Sequence, residues 1–183
     1  MADNRKLNIV DDGGKIVGEE TRENIHNQGL LHREIHVWFY TPEGEIIFQH
    51  REKDKDTYPD LLDATVGGHV EIGSDYENTA LQELVEETGI KKEKNNLVFI
   101  QMIRSKTFDT ATNKTNNVIR AIYAYRYEGK VEDLKVEKGE AIGFESWSLG
   151  KIFNISDEDK KRFIPFIFKV HNLEIFAKIK KLI

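Results

Sequence analysis

The stretch "GSDYENTALQELVEETGI", residues 73–90, decides how the rest of the chain is read. Tyr76, Ala80, Leu81, Leu84 and Val85 recur at helical spacing, which predicts a helix over 75–88 with one buried stripe. Ser74 and Glu77 have capping-box spacing, so Ser74 is expected as the N-cap, and Gly89 suits the left-handed residue that ends a helix. Away from the stripe lie Glu83, Glu86 and Glu87, three and four residues apart and therefore on one face. Like charges at such spacings cost about 0.2–0.5 kcal/mol a pair, and the last turn of a helix is where the macrodipole also disfavours anions. Two readings stand side by side: a solvated acidic face, or a site for a divalent cation such as Mg²⁺, which takes carboxylate oxygens and bridges to substrate phosphates. Gly67 and Gly68, expected in a loop just upstream, would let backbone approach a ligand closely.

Outward from the helix, the chain reads as strands. "LNIV" (7–10) and "KIVG" (15–18) flank "DDGG" and predict an opening β-hairpin. "EIHVWFY" (34–40), the turn "TPEGE" and "IIFQHR" (46–51) read as a strand pair, followed by a charged surface connection at 51–63. After a lysine-rich loop, "LVFIQMIR" (97–104) and "NVIRAIYAYRY" (117–127) are expected strands, with the polar segment between them an extended loop. "IGFESWSL" adds a short strand. Ser156 and Asp159 suit a helix start, and Pro165 should interrupt or restart that helix ahead of a terminal amphipathic one, whose aromatic stripe is suited to cover a sheet. A membrane-surface or partner-binding role for "AKIKKLI" is the rival reading. The fold class is α/β (α+β) with a mixed sheet.

Residues 68–90 resemble the Nudix box, G-x5-E-x7-R-E-U-x-E-E-x-G-U with U aliphatic, through Gly68, Glu83, Leu84, Glu86, Glu87, Gly89 and Ile90. Two positions depart: Ser74 stands for the first glutamate and Gln82 for the arginine, a pair understood in the family to brace loop against helix. Both being neutral, a hydrogen bond between them is the expected substitute. The resemblance implies an α/β/α sandwich spanning 1–183 as one domain, with an N-terminal hairpin within 1–28, the box at 68–90 and C-terminal helices within 156–183. It also implies a Mg²⁺-dependent pyrophosphohydrolase, Mn²⁺ being the alternative ion, that cleaves a diphosphate linkage in a nucleoside diphosphate linked to another group. Glu83, Glu86, Glu87 and the Gly67 backbone would bind metal, and Glu83, Glu86 or Glu140 would activate water. Arg51, His32, His69 and Gly68 would contact substrate.

Residues 29–70 further resemble the branch of this family related to isopentenyl-diphosphate isomerase, where His32 and His69 match metal-site histidines. That isomerase has a cysteine where this chain has Gly67, so the double-bond shift lacks an acid/base group and hydrolysis is the expected chemistry. His36 and His50 are read as structural or surface residues. A non-catalytic ligand-binding or regulatory domain is the alternative, since a fold does not guarantee its activity.

Composition narrows the partners. With 39% hydrophobic and 32% charged residues and three prolines, the 183-residue chain is an ordinary globular one. A formal charge of −5 argues against a nucleic-acid backbone as partner. No run approaches the roughly 20 apolar residues that span a bilayer, and "MADNRKLNIV" lacks a signal-like apolar segment, so a cytoplasmic protein acting on a small-molecule diphosphate, as monomer or homodimer, is expected. The absence of cysteine removes disulfides, thiolate metal sites and cysteine nucleophiles.

Overall fold

The computed structural model describes residues 5–55, 58–90, 94–110 and 112–183; the first residues of the lysine-rich loop lie outside these. The chain opens with strands β1 (Lys6–Val10) and β2 (Ile16–Thr21), paired antiparallel as the hairpin signal implied. Helix α1 (Arg22–Gln28) follows directly, so 1–28 is more than a hairpin. Its signals are short-range and were passed over: Thr21 accepts from the Asn24 N–H as N-cap, and Gly29 closes the helix in the left-handed conformation.

A seven-stranded mixed sheet forms the centre. Strand β3 (His32–Tyr40) lies beside β4 (Glu45–Arg51) and runs parallel to β8 (Lys114–Arg126), which pairs antiparallel with β7 (Leu97–Asp109) at the edge. The two short strands β5 (Leu62–Asp63) and β6 (Val66–His69) and the later β9 (Ala141–Ser148) complete it. Because successive residues of a strand point to opposite faces, β3 serves two cores. Ile35, Val37 and Phe39 pack with Ile47, Val66 and Ala121 beneath α2 (Tyr76–Thr88). Trp38 and Tyr40 face Phe48, Phe163, Ile175 and Phe176, contributed in part by the C-terminal segment with α3 (Leu149–Phe153), α4 (Asp157–Lys160) and α5 (Val170–Ile179). Each fully buried aromatic contributes about 1.5–3 kcal/mol by leaving water. This is the expected α/β/α sandwich.

Several expectations are corrected. Gly67 and Gly68 lie in β6, paired with His36 and Ile35, and not in a loop. The polar segment between "LVFIQMIR" and "NVIRAIYAYRY" is mostly strand: β7 and β8 extend through it to the pair Asp109↔Lys114, since alternating polar residues suit an exposed sheet edge as well as a loop. The terminal helix is shorter than 165–183, starting only at Val170 after turns that follow Pro165. In α2 the N-cap is Asp75, which accepts from the Asn78 N–H at 2.8 Å, so Ser74 is displaced from that role by one residue. Val85 is exposed, while Glu87 is buried in its place. No helix among the described residues is long and apolar enough to cross a membrane.

Candidate active site

Strands β3 and β4 pair only at Phe39↔Ile47 and Tyr40↔Ile46; beyond that β3 pairs with β6, and β4 with β5. A pocket of about 480 Å³ reaches both the carboxylate face of α2 and the polar end of β3. Every residue expected to bind metal or substrate or to activate water lines it except His32, which is fully buried: Glu83, Glu86, Glu87, Glu140, Gly67, Gly68, Arg51 and His69 are all on its wall.

At the acidic end Glu83, Glu86 and Glu87 share the pocket wall with Arg5 and Lys55. Glu87 is 4% exposed and held at both oxygens, Gln49 Nε2 donating to Oε2 at 2.5 Å and the Gly67 N–H to Oε1 at 3.3 Å. Burial, and then the charge of Glu83, nonetheless push its carboxyl well above the usual range. Burial followed by repulsion from Glu86, Glu137 and Glu71 pushes Glu83 up to about 7, with Arg5 opposing. Glu83 also lies against Gly68, where an added Cβ would meet its side chain at 2.5–2.6 Å. Glycine is needed at 68 for room, not for backbone freedom. Glu140 differs from the others in being bound to Lys55 at 2.5 Å.

The two departures from the box are not paired with each other, contrary to the expected hydrogen bond. Gln82 Nε2 donates to Glu86 Oε1 at 3.0 Å, one turn along the helix, and the Ser74 hydroxyl pairs with Thr79 Oγ1 at 3.0 Å. An amide thus holds the Glu86 carboxylate where the box would place an arginine.

At the other end, β3 projects His32, Glu34 and His36 from one face. His32 and His69 meet His26 of α1 and Glu34, and one ligand atom from each of the four lies within 4.8 Å of the others, a donor set suited to a metal ion. The His32 Nδ1 lies 3.1 Å from the Leu30 carbonyl; donating there leaves Nε2 as an acceptor, and among the described residues Nε2 is buried without a hydrogen bond, 3.7 Å from Glu34 Oε1. Burial, then the charges of His32, Arg22 and Lys114, push His26 down to about 4, and burial likewise keeps His69 neutral. Burial alone would raise Glu34, but the Arg120 guanidinium, donating to its Oε2 at 2.6 and 3.0 Å, holds it well below the usual carboxylate range. Arg51 forms an ion pair with Asp63 at 3.3 Å and donates to the Tyr58 carbonyl. His50 is a surface residue bound to Asp60, as expected, whereas His36 lies in the pocket wall.

Sequence reasoning missed His26, Glu34, His36, Gln49 and Arg120. The one available signal was in "HREIHVWFY", where polar residues alternate with apolar ones in the first half of an otherwise apolar strand.

The family model for the NUDIX domain matches residues 30–166. An uncharacterised Nudix hydrolase from Clostridium acetobutylicum is 31% identical over 140 residues, covering 75% of this chain and 66% of that protein. Another from Streptomyces coelicolor is 39% identical over 83 residues, covering 45% of this chain and 46% of that protein. The chain thus spans between about half and just under two thirds of these curated relatives. Among solved structures, one from Deinococcus radiodurans has a TM-score of 0.67 at 18% identity, over 95% of this chain and 98% of that one. The NUDIX domain of Shewanella oneidensis NrtR, complexed with ADP ribose, has a TM-score of 0.57 at 10% identity, over 83% of this chain and 88% of that one. At these identities the structures establish likeness of fold alone.

Proposed function

The chain belongs to the NUDIX domain family, and from that premise we propose that it is a divalent-cation-dependent hydrolase of diphosphate linkages in small molecules, nucleoside diphosphates linked to a second group being the expected class. The observation that carries the reading is the convergence of Glu83, Glu86 and Glu87 on one pocket, with the carboxyls of Glu83 and Glu87 pushed up by burial and by their acidic neighbours. Such oxygens, two of them pushed up by burial and mutual repulsion, fit a hard cation: Mg²⁺, or Mn²⁺ in its place. The ion would offset the charge that develops on phosphoryl oxygens and bring the substrate's diphosphate to the carboxylates.

The chain's own residues do the rest. Gln49 and the Gly67 N–H fix Glu87, and Gln82 orients Glu86. Glu83, packed against the bare backbone of Gly68, and Glu86 are the candidates to take a proton from water. Glu140, already engaged by Lys55, is better suited to shaping the wall than to accepting that proton. Arg51 and the histidine end would receive the substrate's further anionic oxygens. ADP ribose, the ligand in the Shewanella complex, is a diphosphate with an organic group at each end and is a natural first substrate to try.

A second cation position is favoured by the orphaned His32 Nε2 together with His26, His69 and Glu34. Three imidazoles and a carboxylate are donors for a borderline metal such as Zn²⁺ or Mn²⁺ rather than Mg²⁺. An isomerase reading of this end finds no side chain at position 67 to move a proton.

The test is product release from a panel of nucleoside diphosphate derivatives with and without Mg²⁺. Glu86→Gln and Glu87→Gln should abolish release while far-UV circular dichroism stays unchanged. Undiminished turnover in either variant would sink the reading. Binding of Mg²⁺ and nucleotide without any turnover would favour the non-catalytic alternative.

A further inference from the structure

His36 is 9% exposed and lies in the pocket wall, and among the described residues no hydrogen bond reaches either of its ring nitrogens. Neither nitrogen is fully enclosed, so the ring presents them to whatever enters the pocket. His36 pairs across the sheet with Gly67, and a Cβ at residue 67 would come within 3.3 Å of its Cδ2 and 3.6 Å of its Nε2. Gly67 does not have positive φ, so the backbone there accepts any L residue. What glycine provides at 67 is space for this ring.

The ring also stands between the two kinds of charge in the pocket. On one side the Gly67 N–H is already bound to Glu87. On the other are Arg120 and Arg51, which line the same pocket. An imidazole ring N–H is a donor that a phosphate oxygen can accept from. Resting on the hydrolase reading above, we propose that His36 is a substrate-contacting residue that donates a ring N–H to a phosphate oxygen of the diphosphate, between the carboxylate-bound cation and Arg51 and Arg120. The bland role for the same residue is packing, edge-on to Trp38 at 6.2 Å.

Inorganic pyrophosphate with Mg²⁺ is the probe, followed by calorimetry on the full chain. His36→Leu, which keeps volume and removes the donor, should weaken pyrophosphate binding roughly ten- to a hundredfold. His36→Gln, which retains an N–H, should stay within about threefold of wild type, and Mn²⁺ binding followed by electron paramagnetic resonance should be unchanged in both. Equal pyrophosphate affinity in wild type and His36→Leu overturns the proposal and leaves the hydrolase reading standing. Failure of the wild type itself to bind pyrophosphate with Mg²⁺ overturns both. If His36→Leu does not fold, the wild-type imidazole decides: in long-range ¹H–¹⁵N spectra a His36 ring nitrogen must shift when pyrophosphate is added, and an unmoved ring rejects the contact.

Discussion

Gln49 Nε2 donates from β4 to Glu87 Oε2 of α2 at 2.5 Å, across 38 residues of sequence. The bond favours the ionised carboxylate, while burial and Glu83 favour the protonated one, and the balance lies with protonation. Replacing Gln49 by Leu removes the donor and tips that balance further. Gln49→Leu should lose about 1–2 kcal/mol in urea unfolding and require severalfold more Mg²⁺ for half-maximal thermal stabilisation. Because the cation must then displace a more tightly held proton, the deficit should shrink as pH is raised from 7 to 9. A Mg²⁺ requirement equal to wild type at every pH would reject a positioning role for Gln49.

Gly68 offers a test in which stability and site separate. An alanine Cβ would lie 2.5 Å from Glu83 Cδ, so something must shift, and the far end of a glutamate moves more easily than a strand. Gly68→Ala should therefore change stability by less than about 1 kcal/mol yet lower Mg²⁺-dependent turnover by at least about tenfold, through displacement of Glu83. Chemical denaturation beside a rate assay reads both, and a variant that is fully active contradicts the placement of Glu83 at the reacting centre.

The half of the site carried by α2 was legible because it is local. Helical spacing puts Glu83, Glu86 and Glu87 on one face whatever the rest of the chain does. The other half is assembled by strand pairing: Glu34 meets Arg120 because β3 and β8 run parallel with those two residues opposite each other, 86 positions apart. Nothing in a local pattern encodes that register. His26 was hidden for a related reason, as α1 is seven residues long and too short to declare itself by periodicity. The fold was easier to read than the site because alternation in "EIHVWFY" and the stripe of α2 are properties of single elements. Local reading failed for the segment around Asp109, where an exposed edge strand is as polar as a loop.

The raised Glu83 carboxyl contributes to the pH dependence of the metal-free protein. Its folded value, about 7, lies above the ordinary carboxyl value of 4.5, so between these limits the folded state binds the extra proton. Stability therefore falls as pH rises from about 4.5 to 7, by on the order of 2 kcal/mol from this group, and is recovered on the acid side. Buried His26, His36 and His69, held low, act in the opposite sense over the same interval in wild type and variant alike, so the difference is what reads Glu83: in EDTA, the gain in urea midpoint from pH 5 to pH 7 should be larger in Glu83→Gln than in wild type. Mg²⁺ at pH 7 should restore what ionisation removes. Equal slopes in wild type and Glu83→Gln would contradict the account of Glu83 as a carboxyl protonated through burial and repulsion from its neighbours.

Arg120 and Glu34 are both buried, and each is the other's principal counter-charge, with side chains 8% and 9% exposed. Taking two charges out of water is repaid only while both remain, so removing one partner leaves a stranded ion. Arg120→Met should destabilise by about 3–5 kcal/mol, and the double variant Arg120→Met with Glu34→Gln should recover much of that. The sign with pH follows from the Glu34 carboxyl being held low: its contribution is present above its unfolded value and is lost as pH falls through its folded one. The wild type should therefore keep the pair's contribution down to mildly acid pH. In Arg120→Met the deficit should narrow on acidification, because the stranded carboxylate can then be neutralised by a proton. A double-mutant cycle of urea unfolding at pH 7 and pH 5 measures this, and a coupling energy near zero at pH 7 would mean that Glu34 is held by its histidine neighbours and not by Arg120.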